Sequence, residues 1–225
     1  MCGRYTLSDP GDLIEELGVQ TRFTFKPRYN IAPTQQAPAV RMRKDGQGRE
    51  VAMLRWGLVP FWAQDLAIGS RMINARSETA AEKPSFRNAL KDRRCLLLTD
   101  GFYEWKKLEA KNKQPYHIHR ADRKPFVFAG LWERWSKDPE IGPVETFTIL
   151  TTEPNAKIAE LHDRMPVILQ PEAWDFWLDP SVKDSRALSE CLRPCPDDFL
   201  DFTPVSRMVN SPANDVPQCL EPVQF

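Results

Sequence analysis

Net charge, long apolar runs and a secretion signal are all missing from the sequence, and each absence narrows the class of protein. The 31 Lys and Arg residues balance the 31 Asp and Glu residues over 225 positions. The longest apolar stretches, 95–98 and 126–132, fall far short of the roughly 18 residues that a membrane-spanning helix needs. No basic segment followed by an apolar one opens the chain, so we expect a cytoplasmic protein with no membrane partner.

Cys-x-x-Cys motifs are also absent. The five cysteines are an odd number, and no two of them form a Cys-x-x-Cys motif, so free thiols are expected. His117 and His119 alternate along one predicted strand, but without a thiolate pair at zinc-ligand spacing they do not indicate a metal site. We expect neither a metal nor another cofactor.

The sequence does contain enough large apolar side chains for a globular core. Seven Trp, 12 Phe and 4 Tyr contribute to a hydrophobic content of 41%, a composition that disordered chains lack. A chain of 225 residues suits one large domain or two small ones. Because no repeat, low-complexity tract or linker divides it, we predict a single domain over residues 1–225 that acts as a monomer.

The balanced charge is unevenly distributed along the chain. Residues 1–124 hold 23 Lys plus Arg against 14 Asp plus Glu, a net of +9, and residues 125–225 hold 8 against 17, a net of −9. A basic half can neutralise phosphates and release counterions, so nucleic acid is not excluded as a partner. Attraction between two halves of one domain explains the same pattern equally well.

Short apolar runs separated by turn signals predict a mainly β chain. Strands are expected at 39–43, 50–56, 71–74, 95–99, 102–106, 115–120, 126–132 and 145–151. Helices are expected at 10–17, 155–161, 171–178 and 184–192. We therefore predict an α+β fold with a curved, mainly antiparallel, barrel-like sheet and peripheral helices.

Cys2 is the residue with the most unusual chemistry. Removal of Met1 would make it the N-terminal residue, with a thiol and an α-amine on adjacent carbons. An α-amine has a pKa of about 7.7 to 8.0, far below that of lysine, so much more of it is neutral at pH 7. The amine can form a Schiff base with an aldehyde, and the thiol can then close a thiazolidine ring. A second-position cysteine of no consequence is the competing interpretation.

Several polar residues have patterns suited to proton transfer or phosphate binding. Asn74 and Arg76 lie two apart on a predicted strand and so share a face, where an amide and a guanidinium can bind a sugar and a phosphate. Glu104 lies between aromatic residues, which tend to raise a carboxyl pKa. His162 and Arg164 follow a predicted helix and combine a proton shuttle with a phosphate ligand. A polar strand end and a solvent-facing glutamate are the alternatives.

Six blocks of the sequence, taken together, resemble the SOS-response-associated peptidase (SRAP) family. The similarity runs from residue 2 to about residue 210. The blocks are CGRY at 2–5, RYNIAP at 28–33, WGLVP at 56–60, INARSET at 73–79, DGFYEWK at 100–106 and HDRMP at 162–166.

The resemblance implies a SRAP fold and covalent capture of abasic sites in single-stranded DNA, with the partner bound in a basic groove and the protein associated with the nucleoid. The implied product is a thiazolidine crosslink made by Cys2, with lyase-type chemistry as a side path. In this reading Asn74 positions the amine or the sugar, Glu104 assists Schiff-base formation, and His162 promotes ring opening or strand cleavage. The implied DNA-binding residues are Arg4, Arg76, Arg164, Trp62 and Pro33.

Two other functions belong to different classes. A cysteine peptidase, including one that only processes itself, would use Cys2 and His162 as nucleophile and base and would turn over peptides. A non-catalytic reader of modified bases would bind reversibly even after Cys2→Ala.

The family also pairs a proline with a glycine in a loop that wedges the DNA, and here the pair is Pro33-Thr34.

Overall fold

The computed structural model describes residues 2–19, 25–108 and 112–224. Its strands are β1 (Tyr5–Leu7), β2 (Arg28–Ile31), β3 (Gln36–Met42), β4 (Arg49–Trp56), β5 (Asn74–Arg76), β6 (Arg94–Thr99), β7 (Gly101–Lys107), β8 (Lys113–Arg120), β9 (Phe126–Trp135), β10 (Val144–Thr152), β11 (Met165–Pro166) and β12 (Leu200–Pro204). Its α-helices are α1 (Leu13–Glu16), α2 (Ser77–Ala80), α3 (Arg87–Asp92), α4 (Ala156–Ala159), α5 (Trp174–Leu178) and α6 (Ser185–Ser189). Short 3-10 helices include Leu66–Arg71 and Arg207–Asn210. The helices are short, so the strands carry the architecture.

Five strands close into a barrel. In the ring order β10, β4, β3, β6 and β9, each strand pairs with the next, and β9 pairs back to β10. All of these pairings are antiparallel except that of β10 with β4. The predicted α+β fold with a mainly antiparallel, barrel-like sheet is therefore confirmed.

A second, open sheet packs beside the barrel and contains β12, β8, β7, β1 and β2 in that order. Tyr5 of β1 packs edge-on against Trp56 and Phe128 of the barrel, with ring centroids 5.2 and 6.0 Å apart. All three side chains are almost completely buried. The apolar faces of the two sheets thus share one core, and β1 lies against the barrel wall.

The bend between β6 and β7 takes the chain from the barrel to the second sheet. Asp100, at this bend, accepts hydrogen bonds from the Ser8 and Asp9 N–H groups and from the Thr6 hydroxyl, which fixes the end of β1. A Cβ atom on Gly101 would lie 2.2 Å from His117 Nε2. Only glycine fits this approach of β7 to β8, which explains the glycine of the DGFYEWK block.

Several predicted elements have different bounds in the structure, and two of them differ most. The expected strand at 71–74 is wrong, because Leu66–Arg71 forms a 3-10 helix and the strand begins at Asn74. The helix expected at 10–17 is only Leu13–Glu16, because the segment before it forms a local turn in which the Asp9 carboxylate accepts the Gly11 N–H, 2.8 Å away. Among the described residues, no helix is long and apolar enough to cross a membrane.

Candidate active site

Antiparallel pairing of β1 with β7 brings Cys2 towards Glu104. Tyr5 lies opposite Phe102, and the Tyr103 N–H donates to the Arg4 carbonyl at 3.0 Å. Extended outwards from β1, this register puts Gly3 opposite Glu104, and the Glu104 charge acts on the neighbouring Cys2 thiol. Cys2 is fully buried, and burial, with the neighbouring Glu104 charge, raises the pKa of its thiol well above the ordinary value. The thiol is therefore protonated at neutral pH.

Asn74 comes from a different sheet and holds the backbone of Cys2. Strand β5 pairs in parallel with β10, with Asn74 opposite Ile149. The Asn74 Nδ2 group donates to the Cys2 carbonyl at 2.8 Å. Its Oδ1 atom is buried and has no hydrogen-bond partner in the described part of the chain. The amide therefore joins the barrel to the N-terminal segment and retains an acceptor beside it.

Glu104 is a buried acid beside Cys2. Its exposed fraction is 4%, and burial raises its pKa to about 7. A carboxyl with this pKa exists in both protonation states at neutral pH, so it can donate and accept protons. The pattern of a glutamate among aromatic residues predicted this shift, and the structure agrees with it.

His162 lines the same cavity as Glu104. The cavity has a volume of about 960 Å³ and is also lined by Trp105, Lys106, Lys107, Lys113 and Asp163, among others. His162 follows α4 and precedes β11, which pairs with Thr151 and Thr152 at the end of β10. Burial lowers its pKa, which favours the neutral imidazole at physiological pH. The structure thus brings together the four residues predicted to be catalytic.

A second cavity lies on the other side of Trp105. It has a volume of about 510 Å³ and is lined by Arg4, Trp105, Asn112, Lys113, Arg207 and Asn210. Three of these residues are cationic and none is acidic. Trp105 and Lys113 line both cavities. The Trp105 indole is held by a 2.8 Å hydrogen bond to Asn210, so one ordered aromatic side chain separates an acid-base site from a cationic one.

The three predicted phosphate ligands have different surroundings. Arg4 lines the cationic cavity while donating to the carbonyls of Val209 and Asn210. Arg76 is exposed and lies opposite Thr151. Arg164 also reaches Thr151, donating to its carbonyl at 2.7 Å, and it binds both carboxylate oxygens of Glu78. Arg76 and Arg164 therefore flank the same point on β10.

Trp62 and Pro33 have no described contact with Cys2. Trp62 is 42% exposed in the loop after β4, and the neighbouring Ala63 carbonyl accepts the Trp135 indole N–H. Pro33 begins the turn between β2 and β3, where Thr34 has a φ of 73°. Their assignment to DNA binding stays a prediction.

Sequence reasoning missed four residues that the fold adds to the site: Glu78, Trp105, Lys113 and Arg207. Glu78 and Trp105 belong to the INARSET and DGFYEWK blocks. Their positions near Arg76 and Glu104 in these blocks could have indicated that they lie at the site. Arg207 lies in the second half of the chain, in a 3-10 helix, and carries no motif. Within the described ranges, no group of three or more His, Cys, Asp or Glu side chains is arranged to hold a metal.

Comparisons with known proteins show what the chain is similar to. The sequence model of the family described as SOS response associated peptidase (SRAP) matches residues 1–212. The chain is 44% identical to the abasic site processing protein YoqW of Bacillus subtilis (strain 168), over 98% of this chain and 99% of that one. It is 32% identical to the abasic site processing protein HMCES of Gallus gallus, over 89% of this chain and 68% of that one. A crystal structure of a Bacteroides thetaiotaomicron protein superposes with a TM-score of 0.88 at 27% identity, covering 99% of this chain and 100% of that chain.

Proposed function

The chain belongs to the SOS response associated peptidase (SRAP) family, and from this premise we propose that it captures abasic sites in single-stranded DNA as a covalent thiazolidine adduct of Cys2. The observation that carries the proposal is the convergence of Cys2, Asn74, Glu104 and His162 beside a cationic cavity. An abasic site is in equilibrium with a ring-opened aldehyde, the functional group that an N-terminal aminothiol captures. The site is already unstacked in a single strand, so no base pair has to be broken.

The α-amine of Cys2, freed by removal of Met1, is the first nucleophile. It attacks the aldehyde carbon to give a carbinolamine, which loses water to form an imine. The Cys2 sulfur then adds to the imine carbon and its proton passes to the nitrogen, which closes the ring. The raised pKa of the thiol supports this order, because a protonated thiol is a weak nucleophile towards the aldehyde.

The surrounding residues transfer protons and fix geometry. Glu104, with a pKa of about 7, protonates the carbinolamine oxygen that leaves as water. Asn74 holds the Cys2 carbonyl and so orients the adjacent amine. His162 promotes opening of the sugar ring, and a lyase-type β-elimination is the side path when the imine is not trapped.

The cationic cavity supports a path for the DNA strand. A strand that leaves the Glu104 and His162 cavity passes Trp105, on which a base can stack. Its phosphates then meet Lys113 and Arg207. Arg76 binds phosphate at the other end of the site, beside Thr151. A protein with such a partner works at the nucleoid.

A cysteine peptidase is the weaker candidate. Peptidase cysteines are activated by a lowered thiol pKa, whereas burial and the Glu104 charge raise the pKa of Cys2. Proteolysis is needed only to expose the Cys2 amine. Turnover of added peptides by the mature protein would contradict this assignment.

Intact mass spectrometry of the protein with an abasic-site oligonucleotide tests the proposal. The expected adduct has the mass of the chain without Met1 plus the oligonucleotide minus one water. Cys2→Ser keeps the amine but should lose the heat-stable adduct, while borohydride still traps its imine. Cys191→Ser is the matched control, because Cys191 is a free cysteine that no described contact joins to the site, and it should form the adduct normally. A heat-stable adduct from Cys2→Ser at the wild-type rate would refute the proposal.

A further inference from the structure

Two groups contact the Nδ1 atom of His162, one as a hydrogen-bond donor and one as an acceptor. They therefore favour opposite protonation states of that atom. The Arg164 backbone N–H donates to Nδ1 at 3.0 Å, and the Asp163 carboxylate lies 2.9 Å from Nδ1. A neutral imidazole accepts the Arg164 N–H through Nδ1 only when its ring proton is on Nε2. Asp163 would be satisfied by a proton on Nδ1. The tautomer of His162 thus depends on how firmly the Arg164 amide is held.

The Arg164 side chain anchors that amide. Its two terminal nitrogens donate to the two Glu78 oxygens at 2.7 and 2.8 Å, and one of them also donates to the Thr151 carbonyl at 2.7 Å. The side chain is only 13% exposed, and this contact lowers the pKa of Glu78. A bidentate pair of this kind restricts both distance and orientation. The Glu78 pair therefore ties residue 164 to α2 and β10.

We propose that Glu78, acting through Arg164, is a positioning residue that holds His162 in the tautomer with its ring proton on Nε2. The proposal rests on the proposed function only for the role of His162 in the reaction. If Arg164 instead binds a DNA phosphate, the Arg164–Glu78 pair has a different meaning, because Glu78 is then a counter-ion that DNA displaces. The two claims give different results for Glu78→Gln.

Other charged groups around His162 stay unchanged in this variant. Those that line its cavity are Glu104, Lys106, Lys107, Lys113, Glu160 and Asp163. Glu78 does not line this cavity, so a change in His162 on Glu78→Gln is expected to come through Arg164, its hydrogen-bonded partner. Glu82→Gln is the matched control, because Glu82 is an exposed residue just beyond α2.

Nitrogen NMR of the imidazoles reads the tautomer without any DNA. The chain has three histidines, and loss of one signal set in His162→Gln assigns His162. The wild-type protein should show mainly the Nε2–H tautomer. In Glu78→Gln, weakening of one backbone hydrogen bond should reduce the tautomer ratio roughly three- to tenfold. The Glu82→Gln ratio should match wild type, and an unchanged ratio in Glu78→Gln overturns the proposal.

Reaction and binding assays separate positioning from phosphate competition. With an abasic-site oligonucleotide, Glu78→Gln should shift the pH profile of strand cleavage. With undamaged single-stranded DNA, the salt dependence of binding should keep its slope. A slope steeper by about 0.7 with an unchanged tautomer would identify Glu78 as a counter-ion and overturn the proposal. If Glu78→Gln does not fold, Arg164→Lys should cause the same tautomer shift, because an ammonium cannot bind both oxygens in the same way.

A wild-type protein that forms no crosslink would refute the proposed function and leave the tautomer result intact. Conversely, a normal crosslink with an unchanged tautomer would refute only the role of Glu78.

Discussion

The surroundings of Glu104 bring its protonation into the neutral pH range. Burial favours its neutral form, so its pKa rises from 4.5 to about 7. The folded protein therefore binds a proton that the unfolded chain releases over this pH range. A buried carboxyl lowers the stability of the fold above neutral pH. The proposed proton transfer explains why Glu104 is buried despite this cost.

The pH dependence of unfolding should report this cost. Because the folded-state pKa is raised, the Glu104 contribution to stability is present below about pH 4.5 and is lost as the pH rises to about 7. Its size is on the order of 3 kcal/mol. Urea unfolding across this range should therefore show a loss of stability in wild type that is smaller in Glu104→Gln.

Parallel pH curves for wild type and Glu104→Gln would contradict the raised pKa. Glu82→Gln serves as the control and should follow wild type. The same Glu104→Gln protein should form the proposed crosslink roughly 100-fold more slowly while still binding DNA.

At the scale of an element, the turn between β2 and β3 contains a strained residue. Thr34 has a φ of 73°, in the left-handed region that glycine adopts freely and β-branched residues avoid. Its N–H donates to the Trp56 carbonyl at 2.9 Å, and the Trp56 N–H donates to Gln35 at the same distance. These bonds hold the turn to the end of β4. The turn is therefore held in place although threonine occupies this left-handed position.

Replacing Thr34 with glycine should stabilise the protein. A left-handed conformation costs a non-glycine residue about 1 to 2 kcal/mol, and the added freedom of the unfolded chain offsets about 0.4 to 1 kcal/mol of that gain. We expect the free energy of unfolding to rise by about 0.5 to 1 kcal/mol in Thr34→Gly.

Thr34→Ala is the control for this prediction, because alanine keeps the Cβ atom that causes the strain. It should gain little stability. A loss of stability in Thr34→Gly, measured by urea unfolding, would show that the threonine side chain stabilises the turn more than the strain destabilises it.

At the scale of the whole molecule, ion pairs join the basic half of the chain to the acidic half. In the described part of the chain, the pairs that join a cation of residues 1–124 to an acid of residues 125–225 are Arg28 with Asp215, Arg41 and Lys44 with Glu145, Arg49 with Asp175, and Arg93 with Glu133. Arg164 with Glu78 and Lys183 with Asp92 cross in the opposite sense. Mutual attraction of the halves therefore accounts for part of the charge asymmetry. Arg76 lies outside this set and is exposed, and the cationic cavity adds Lys113 and Arg207.

The salt dependence of DNA binding should distinguish these cations from other surface charges. Arg76→Ala and Arg207→Ala should each make the slope of log affinity against log salt shallower by about 0.7 for single-stranded DNA. Arg43→Ala is the matched control, because Arg43 pairs with Asp45 in the turn between β3 and β4, and it should leave the slope unchanged. An equal effect of all three would mean that binding is spread over the surface.

The local sequence was sufficient to predict most strands and the chemistry of single residues. Strand β3, its turn and β4 follow from alternation and a polar glycine-containing segment, because strand periodicity and turn preference are properties of neighbouring residues. The prediction of a strand at 71–74 was wrong because it used neighbouring residues alone. They do not reveal that β5 begins at Asn74, where it pairs with β10. The aminothiol of Cys2 likewise needs only the order of the first two residues.

Which residues meet depends on the packing of distant strands. The barrel closes through β9 and β10, and that closure places Asn74, 72 residues away in sequence, on the Cys2 carbonyl. Glu78 reaches Arg164 across 86 residues, and Arg207 joins Arg4 in one cavity. Such contacts depend on register and packing between distant strands, which the pattern of neighbouring residues does not encode. The order of residues therefore sets the reactive groups, and the fold sets their pKa values, their hydrogen-bond partners and the cavity they share.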